Sequence, residues 1–74
     1  MHEKIRNLRE DRDLTQKDMA EILSIGQTTY SDYEMGKINI PIATLIRLAL
    51  FFDTSIDYLV GLTDVREPYR RVKK

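Results

Sequence analysis

Residues 16–36 constrain the fold most strongly, because they contain two short helical patterns separated by a three-residue break. On each side of the break, apolar or aromatic side chains recur at the spacing of one face of an amphipathic helix. The pattern predicts a helix at about Gln16–Leu23, a tight turn over residues 24–26, and a helix at about Gln27–Met35. The side chains predicted to face inward are Met19, Ala20, Leu23, Tyr30 and Tyr33.

The ends of these two helices also carry signals. Thr15 and Asp18 have the spacing of a capping box, in which each side chain accepts a backbone N–H at the start of a helix. Gly36 stands where the second helix of the pair would end, a position that favours glycine. Ala20 is small enough to let the two helices cross closely. The two helices are therefore predicted to pack directly against each other.

Three further helices are predicted around this pair. The first covers residues 3–13, and a fourth over residues 41–52 begins with a proline, which suits the first turn of a helix. Ser55 caps a short fifth helix over residues 56–61. No strand is supported, because the alternating stretch before the fourth helix is interrupted by that proline. The sequence predicts an all-α fold of five helices, with these further side chains facing inward: Ile5, Leu8, Leu14, Leu45, Leu48, Ala49, Phe52, Ile56 and Leu59.

The composition is that of one small globular domain. At 74 residues the chain is near the lower size at which a hydrophobic core suffices alone. It contains no cysteine, which excludes disulfides and thiolate zinc sites. No apolar stretch approaches the ~20 residues needed to span a bilayer, and the charged N-terminus does not lead into a signal sequence. These features predict a cytoplasmic protein with no membrane partner.

Charge is distributed unevenly, although the formal net charge is zero. Residues 1–63 contain seven basic and ten acidic side chains, a net charge of −3. Residues 64–74 contain five basic and two acidic side chains, a net charge of +3. We therefore expect a folded domain over residues 1–63 and a basic, flexible tail over residues 64–74. Any surface of the body that binds a polyanion must be a local arrangement of side chains.

Two helices joined by about three residues, with the second polar on its outer side, form the helix-turn-helix pattern. In that motif the second helix lies in the DNA major groove and its first residues meet the base edges. Gln27 can hydrogen-bond adenine in a bidentate manner, and the methyl group of Thr28 can contact thymine. The alternative is that these polar side chains only face solvent, but the turn and the caps agree with a helix that reads DNA. Double-stranded DNA is the predicted partner.

From about Ile5 to Gly61 the chain resembles the phage-repressor and Cro-type helix-turn-helix family, often called the Xre family. The segments that carry the resemblance are LTQKDMAEIL, YSDYEMGK, IPIATLIRLA and SIDYLVGLTD. The resemblance implies a compact five-helix, lambda-repressor-like domain that binds specific duplex DNA. It also implies a transcriptional regulator, most simply a repressor, that binds a palindromic operator as a homodimer.

The resemblance further implies roles for individual side chains. On the recognition helix, the side chains at base-reading positions are Gln27, Thr28 and Asp32. The side chains at positions near the DNA backbone are Gln16, Thr29 and Lys37, and Gln16 stands at a helix start that favours a phosphate. Arg9 and Glu34 match a structural pair that ties the first helix to the third.

The sequence departs from the family pattern around the turn. Ser24 stands where glycine is usual, and a left-handed conformation there would cost ~1 kcal/mol. Gly26 stands where a capping Ser or Thr is usual and offers no hydroxyl. Met35 replaces an asparagine, and Asp32 places a carboxylate near phosphates unless it accepts a hydrogen bond from cytosine. These changes leave the fold prediction intact and the operator sequence open.

Two further surfaces are open to interpretation. Ile40 and Ile56 are the candidate dimer residues, since a patch of exposed apolar side chains would indicate a partner surface. The alternative is that exposed isoleucines are merely scattered, which is normal. Arg70–Lys74 could act as an electrostatic arm that adds phosphate contacts, or could remain solvated like many termini.

Other classes of function compete with DNA binding. A protein-interaction module of antitoxin or anti-repressor type would use the same fold to hold another protein, and the negative body and apolar loop favour it. An enzyme is poorly supported, because the chain has no cysteine, its one histidine is His2, and no phosphate-binding glycine loop or metal-ligand spacing is present. No cofactor, metal or small-molecule ligand is implied.

Overall fold

The computed structural model describes residues 2–68, and over that range the chain forms five α-helices and no strand. The helices are α1 His2–Asp11, α2 Gln16–Leu23, α3 Gln27–Met35, α4 Ile42–Phe51 and α5 Ile56–Leu59. The all-α, five-helix prediction is confirmed. None of the described helices is long and apolar enough to cross a bilayer.

All five helices share one hydrophobic core. α2 packs on α3, α1 contacts both α3 and α5, and α4 packs on α5. Leu14 and Ile56, predicted to face inward, are only partly buried at the edge of this core. The buried apolar residues are Ile5, Leu8, Met19, Ala20, Leu23, Tyr30, Tyr33, Ile40, Leu45, Leu48, Ala49, Phe52 and Leu59. Because each large aliphatic side chain contributes about 1.5–3 kcal/mol on burial, this shared core fixes how short helices sit against one another.

The capping box predicted before α2 is present. The backbone N–H of Asp18 donates to Thr15 Oγ1 at 3.0 Å, and the backbone N–H of Thr15 donates to Asp18 Oδ2 at 2.9 Å. The hydrogen bonds from Thr15 hold the pKa of Asp18 below its usual value. The start of α2 is therefore fixed by two reciprocal bonds.

The predicted ends of α1, α4 and α5 differ from the observed ones by one or two residues. α1 ends at Asp11 because the chain turns at Asp13, which has a positive φ of 55°. Pro41 is the N-cap of α4 and lies outside the helix, with an extended ψ of 150°. At its other end α4 stops at Phe51, so the predicted last residue, Phe52, becomes the C-cap. α5 ends two residues before Gly61, whose φ of 85° is incompatible with a right-handed helix.

Residues 62–68 follow α5 without forming a helix, and they return to α1. The hydroxyl of buried Thr54 donates to the backbone carbonyl of Arg66. The Arg66 guanidinium in turn lies 3.1 Å from the Asp11 carboxylate. The part of the predicted tail that is described is therefore held against the body. Arg70–Lys74, the predicted electrostatic arm, lies outside the described residues.

Candidate nucleic-acid interface

The turn between α2 and α3 depends on one left-handed residue. Ser24 has φ 57° and ψ 44°. The N–H groups of Ser24 and Ile25 donate to the carbonyls of Glu21 and Ala20 at 3.1 and 2.9 Å, which closes the end of α2. A serine in this conformation carries strain that glycine would avoid. The sharp reversal lets α3 start three residues after α2 ends.

The start of α3 is uncapped. Its N-cap, Gly26, is extended with φ −70° and ψ 150° and supplies no side-chain hydrogen bond, and the first turn holds no acidic residue. The free backbone N–H groups and the positive end of the helix dipole therefore remain available to an anion. Gln27 and Thr28, the first two residues of α3, are both exposed beside these groups.

Four side chains line one shallow, open depression on this surface. They are Gln16, Gln27, Thr28 and Ser31. The structure thus brings a predicted backbone-contact residue together with two predicted base-reading residues. Ser31 was missed as a site residue, although its spacing of four from Gln27 places both on one helix face and could have identified it.

The other predicted DNA contacts lie outside the depression. Thr29 and Asp32 are half-buried on α3, and Lys37 is exposed in the loop that follows it. Asp32 comes one helical turn after Thr28, so the two lie along the same side of α3. Gly36 ends α3 with φ 72°, and the N–H of Lys37 then donates to the Asp32 carbonyl at 3.0 Å. This bond fixes where the Lys37 side chain leaves the backbone.

A buried ion pair joins α1 to α3. Arg9 Nε lies 2.7 Å from Glu34 Oε2, and Arg9 Nη2 lies 3.1 Å from Glu34 Oε1, a bidentate contact. The two side chains are only 13% and 3% exposed. Arg9 Nη1 also donates to the backbone carbonyl of Leu14 at 2.8 Å. One guanidinium therefore holds α3 and the loop before α2 in a fixed relation.

Gln16 connects this buried pair to the surface depression. Its Nε2 donates to Glu34 Oε1 at 3.1 Å, while its side chain also lines the depression. An amide NH₂ group carries two N–H bonds, so one remains for a ligand. The Tyr30 hydroxyl is buried beside Glu34 but does not form a well-oriented hydrogen bond with it. We refer to Arg9, Gln16, Tyr30 and Glu34 as the polar cluster.

The protonation states of the polar cluster follow from its contacts. Burial raises the pKa of Glu34, but the hydrogen bonds from Arg9 and Gln16, together with the nearby Tyr30 hydroxyl, outweigh it and hold that pKa below its usual value. Burial, and then the neighbouring Glu34 carboxylate, raise the pKa of Tyr30 well above its usual value. At neutral pH the cluster therefore contains one anion, one cation and a neutral phenol.

Arg47 is a further contact that sequence reasoning missed. From α4 its guanidinium donates to the carbonyls of Ile22 and Leu23 at 2.8 and 2.9 Å. These carbonyls belong to the last turn of α2, where no helical partner is available and a positive charge is favoured. α4 thus holds the end of α2 just before the turn. No local signal predicts this contact, because its partners are 24 and 25 residues apart.

Of the two candidate dimer residues, Ile40 is less exposed than expected. Ile40 is only 7% exposed and belongs to the core, and Ile56 is partly buried against it. The exposure expected of Ile40 was wrong. Ile40 immediately precedes the N-cap of α4, a position from which an apolar side chain packs onto the first turn of the helix.

Known proteins similar to this chain include HTH-type transcriptional regulators and a phage transcriptional repressor. The chain is 36% identical over 66 residues to the uncharacterized HTH-type transcriptional regulator YobD of Bacillus subtilis (strain 168), covering 89% of this chain and 59% of YobD. It is 40% identical over 58 residues to the cryptic phage CTXphi transcriptional repressor RstR of Vibrio cholerae, covering 78% and 52% of the two chains. It is 34% identical over 62 residues to the HTH-type transcriptional regulator ImmR of Bacillus subtilis (strain 168), covering 84% and 49%.

The chain spans about half the length of these curated relatives, and no solved structure matches it with significance. A family model described as Helix-turn-helix matches residues 5–59. That range contains the left-handed turn, the depression and the polar cluster, and it ends where α5 ends. The family resemblance drawn from the sequence segments is confirmed. The chain belongs to the Xre-type helix-turn-helix family.

Proposed function

We propose that this chain is a transcriptional regulator that binds specific double-stranded DNA with α3 in the major groove. The observation that carries the proposal is the depression lined by Gln16, Gln27, Thr28 and Ser31 beside the uncapped start of α3. It places amide and hydroxyl groups, which can read base edges, next to free backbone N–H groups, which can bind a phosphate. The groups that can read bases and the groups that can bind phosphate therefore lie on one surface.

The base contacts fall on one side of α3. Gln27 pairs with adenine through both ends of its amide, and the Thr28 methyl group contacts the methyl group of thymine. Asp32 accepts a hydrogen bond from the amino group of cytosine, the base contact available to a carboxylate. Ser31 adds a hydroxyl that either donates or accepts.

The backbone contacts orient α3 in the groove. Gln16 uses its second amide N–H on a phosphate while the first is held by Glu34. Thr29 and Lys37 supply further contacts along the strand. The body carries a net charge of −3, so binding depends on these local contacts and not on a general positive field. The polar cluster and Arg47 hold α2 and α3 in a fixed relation, so that few contacts to the DNA backbone are needed to position α3.

The regulator acts as a repressor in the cytoplasm and binds a palindromic operator as a homodimer. RstR, one of the relatives, is named a transcriptional repressor, which supports repression here. Two α3 helices reach successive major grooves on one face of DNA when their half-sites lie about 34–36 Å apart. The proposal assigns the chain no catalytic role and no cofactor.

Selection of bound duplexes from a random-sequence pool tests this proposal. We expect a single enriched motif made of two inverted half-sites with an adenine or thymine at the positions that face Gln27 and Thr28. The matched control is the Gln27→Ala variant, which should enrich a degenerate motif. If the unsubstituted chain enriches no motif, sequence-specific binding is refuted and a protein-interaction role becomes the better account.

A further inference from the structure

α4 carries a row of exposed apolar side chains. Ile42, Ile46 and Leu50 are 67, 44 and 58% exposed, and successive members are four residues apart, so they form a line along one side of the helix. We call this row the α4 stripe. No described part of the chain covers it. Its neighbour Arg47 turns its guanidinium to the carbonyls of α2 and is therefore already engaged.

We propose that the α4 stripe is the contact between two copies of this chain bound to one operator, and this inference rests on the DNA binding proposed above. Ile46 lies near the middle of α4, with Ile42 one turn before it and Leu50 one turn after. A two-fold axis passing beside Ile46 therefore sets Ile46 against Ile46 and Ile42 against Leu50 of the other copy. The stripe is complementary to itself under the symmetry of a palindrome.

Charge favours a second copy as the occupant. α4 is the one helix among the five described that contains no acidic residue. Residues 1–63 of each copy carry a net charge of −3, and two such surfaces avoid like-charge pairs across their contact only where the facing elements hold no carboxylate. An antiparallel α4–α4 contact meets that condition and also sets the two helix dipoles in opposition.

The size of the stripe determines when the contact forms. Stable interfaces bury about 800 Å² per partner, and three half-exposed aliphatic side chains supply far less. The free chain is therefore largely monomeric. Binding to adjacent half-sites raises the effective concentration of one copy near the other and makes a small contact sufficient. The described domain measures 35 × 24 × 24 Å, so copies on half-sites about 34–36 Å apart are within reach of each other.

Site-specific crosslinking tests the contact directly. The chain contains no cysteine, so Ile46→Cys introduces a single thiol. Packed helices have axes about 8–10 Å apart, which a short bis-maleimide spans. We expect covalent dimer when Ile46→Cys is bound to an operator selected from the random pool. Leu62→Cys, at a 78% exposed position beyond α5, is the matched control and should remain monomeric. Equal crosslinking of the two variants, or none at position 46, overturns the inference.

Binding measurements separate this inference from the proposed function. Ile46→Glu sets like charges against each other and should weaken binding to the two-half-site operator at least about tenfold, with single half-site binding changed less than about twofold. An equimolar mixture of Ile46→Glu and Ile46→Lys should regain the lost affinity, while Leu62→Glu should lose none. Unchanged operator binding by Ile46→Glu overturns the α4 contact alone. If the unsubstituted chain binds neither the two-half-site operator nor the single half-site more tightly than random DNA, the proposed function fails. Crosslinking of the free Ile46→Cys variant at high concentration then decides whether two α4 stripes pair.

Discussion

Replacing Glu34 with glutamine removes the charge of the polar cluster while keeping its shape. Glu34 receives two bonds from Arg9 and one from Gln16, and its side chain is 3% exposed. Glutamine retains one acceptor oxygen, but its NH₂ group then faces a guanidinium N–H. The Arg9 charge is left in a largely buried site without a counter-ion. The substitution therefore tests whether the cluster holds α3 in place.

The expected loss is large relative to the total stability. Removing one member of a buried ion pair typically costs about 3–5 kcal/mol. Arg9 keeps its hydrogen bond to the Leu14 carbonyl, and 13% of its side chain is exposed to solvent. Both reduce the penalty. We therefore expect Glu34→Gln to lower the free energy of unfolding by about 3 kcal/mol. At roughly 0.05–0.15 kcal/mol per residue, a domain of this length has only about 4–11 kcal/mol in total.

Urea unfolding followed by circular dichroism measures this loss as a drop of roughly 1–3 M in the midpoint. Glu10→Gln is the matched control, because Glu10 and Arg6 lie 3.7 Å apart with both side chains more than half exposed. An exposed pair contributes about 0–1 kcal/mol, so the control midpoint should hardly move. If Glu34→Gln loses no more stability than Glu10→Gln, the polar cluster does not hold the helices together.

Four further outcomes follow from local geometry. Because the pKa of folded Glu34 lies below the ordinary 4.5, the stability from its ion pair is complete above that pH and is lost as the pH falls through the folded pKa. Melting temperatures measured against pH should therefore fall less steeply in acid for Glu34→Gln, and parallel curves would contradict this. Arg47→Met should cost about 1–2 kcal/mol. Arg47→Lys should cost less, because its ammonium keeps the charge and can bond one of the two carbonyls, and no loss at all in Arg47→Lys would refute the importance of the double contact. Ser24→Gly should stabilise the protein by up to ~1 kcal/mol in chemical denaturation, and any loss would argue against strain at this residue. Gly26→Ser should stabilise it by about 0.5 kcal/mol, because the added Cβ meets nothing closer than Thr29 Oγ1 at 3.9 Å, and a loss would show that α3 requires the glycine.

Elements with local signals were predicted well. α2 and α3 begin and end where periodicity and caps place them, because Thr15, Asp18 and Gly36 act on residues only a few positions away. The exposed positions of Gln27 and Thr28 also follow from the α3 pattern once its tyrosines are assigned to the core. The helix, turn and cap signals of this segment agree with the way it packs in the folded domain. Apolar periodicity was therefore enough to predict α2 and α3.

Apart from the Arg9–Glu34 pair, which the family resemblance implied, the features that depend on distant contacts were not predicted. Arg47 looks like an ordinary exposed cation in sequence, and its role appears only when α4 packs beside the end of α2. Ile40 and Ile42 belong to one alternating stretch, yet the first is buried and the second is 67% exposed. Which isoleucine is covered depends on how the loop enters α4, and side-chain type alone does not specify that path.

The most direct test of the central claim compares Gln27→Ala and Lys37→Ala on the selected operator and on random DNA. If α3 reads bases, Gln27→Ala should weaken operator binding by ~1–3 kcal/mol and leave random-DNA binding nearly unchanged. Lys37 is a predicted contact to the DNA backbone. Lys37→Ala should therefore weaken binding to both DNAs alike and reduce the slope of log K against log[salt] by the amount expected for about one phosphate contact. Equal losses on both DNAs for Gln27→Ala would show that the start of α3 positions the protein without reading sequence.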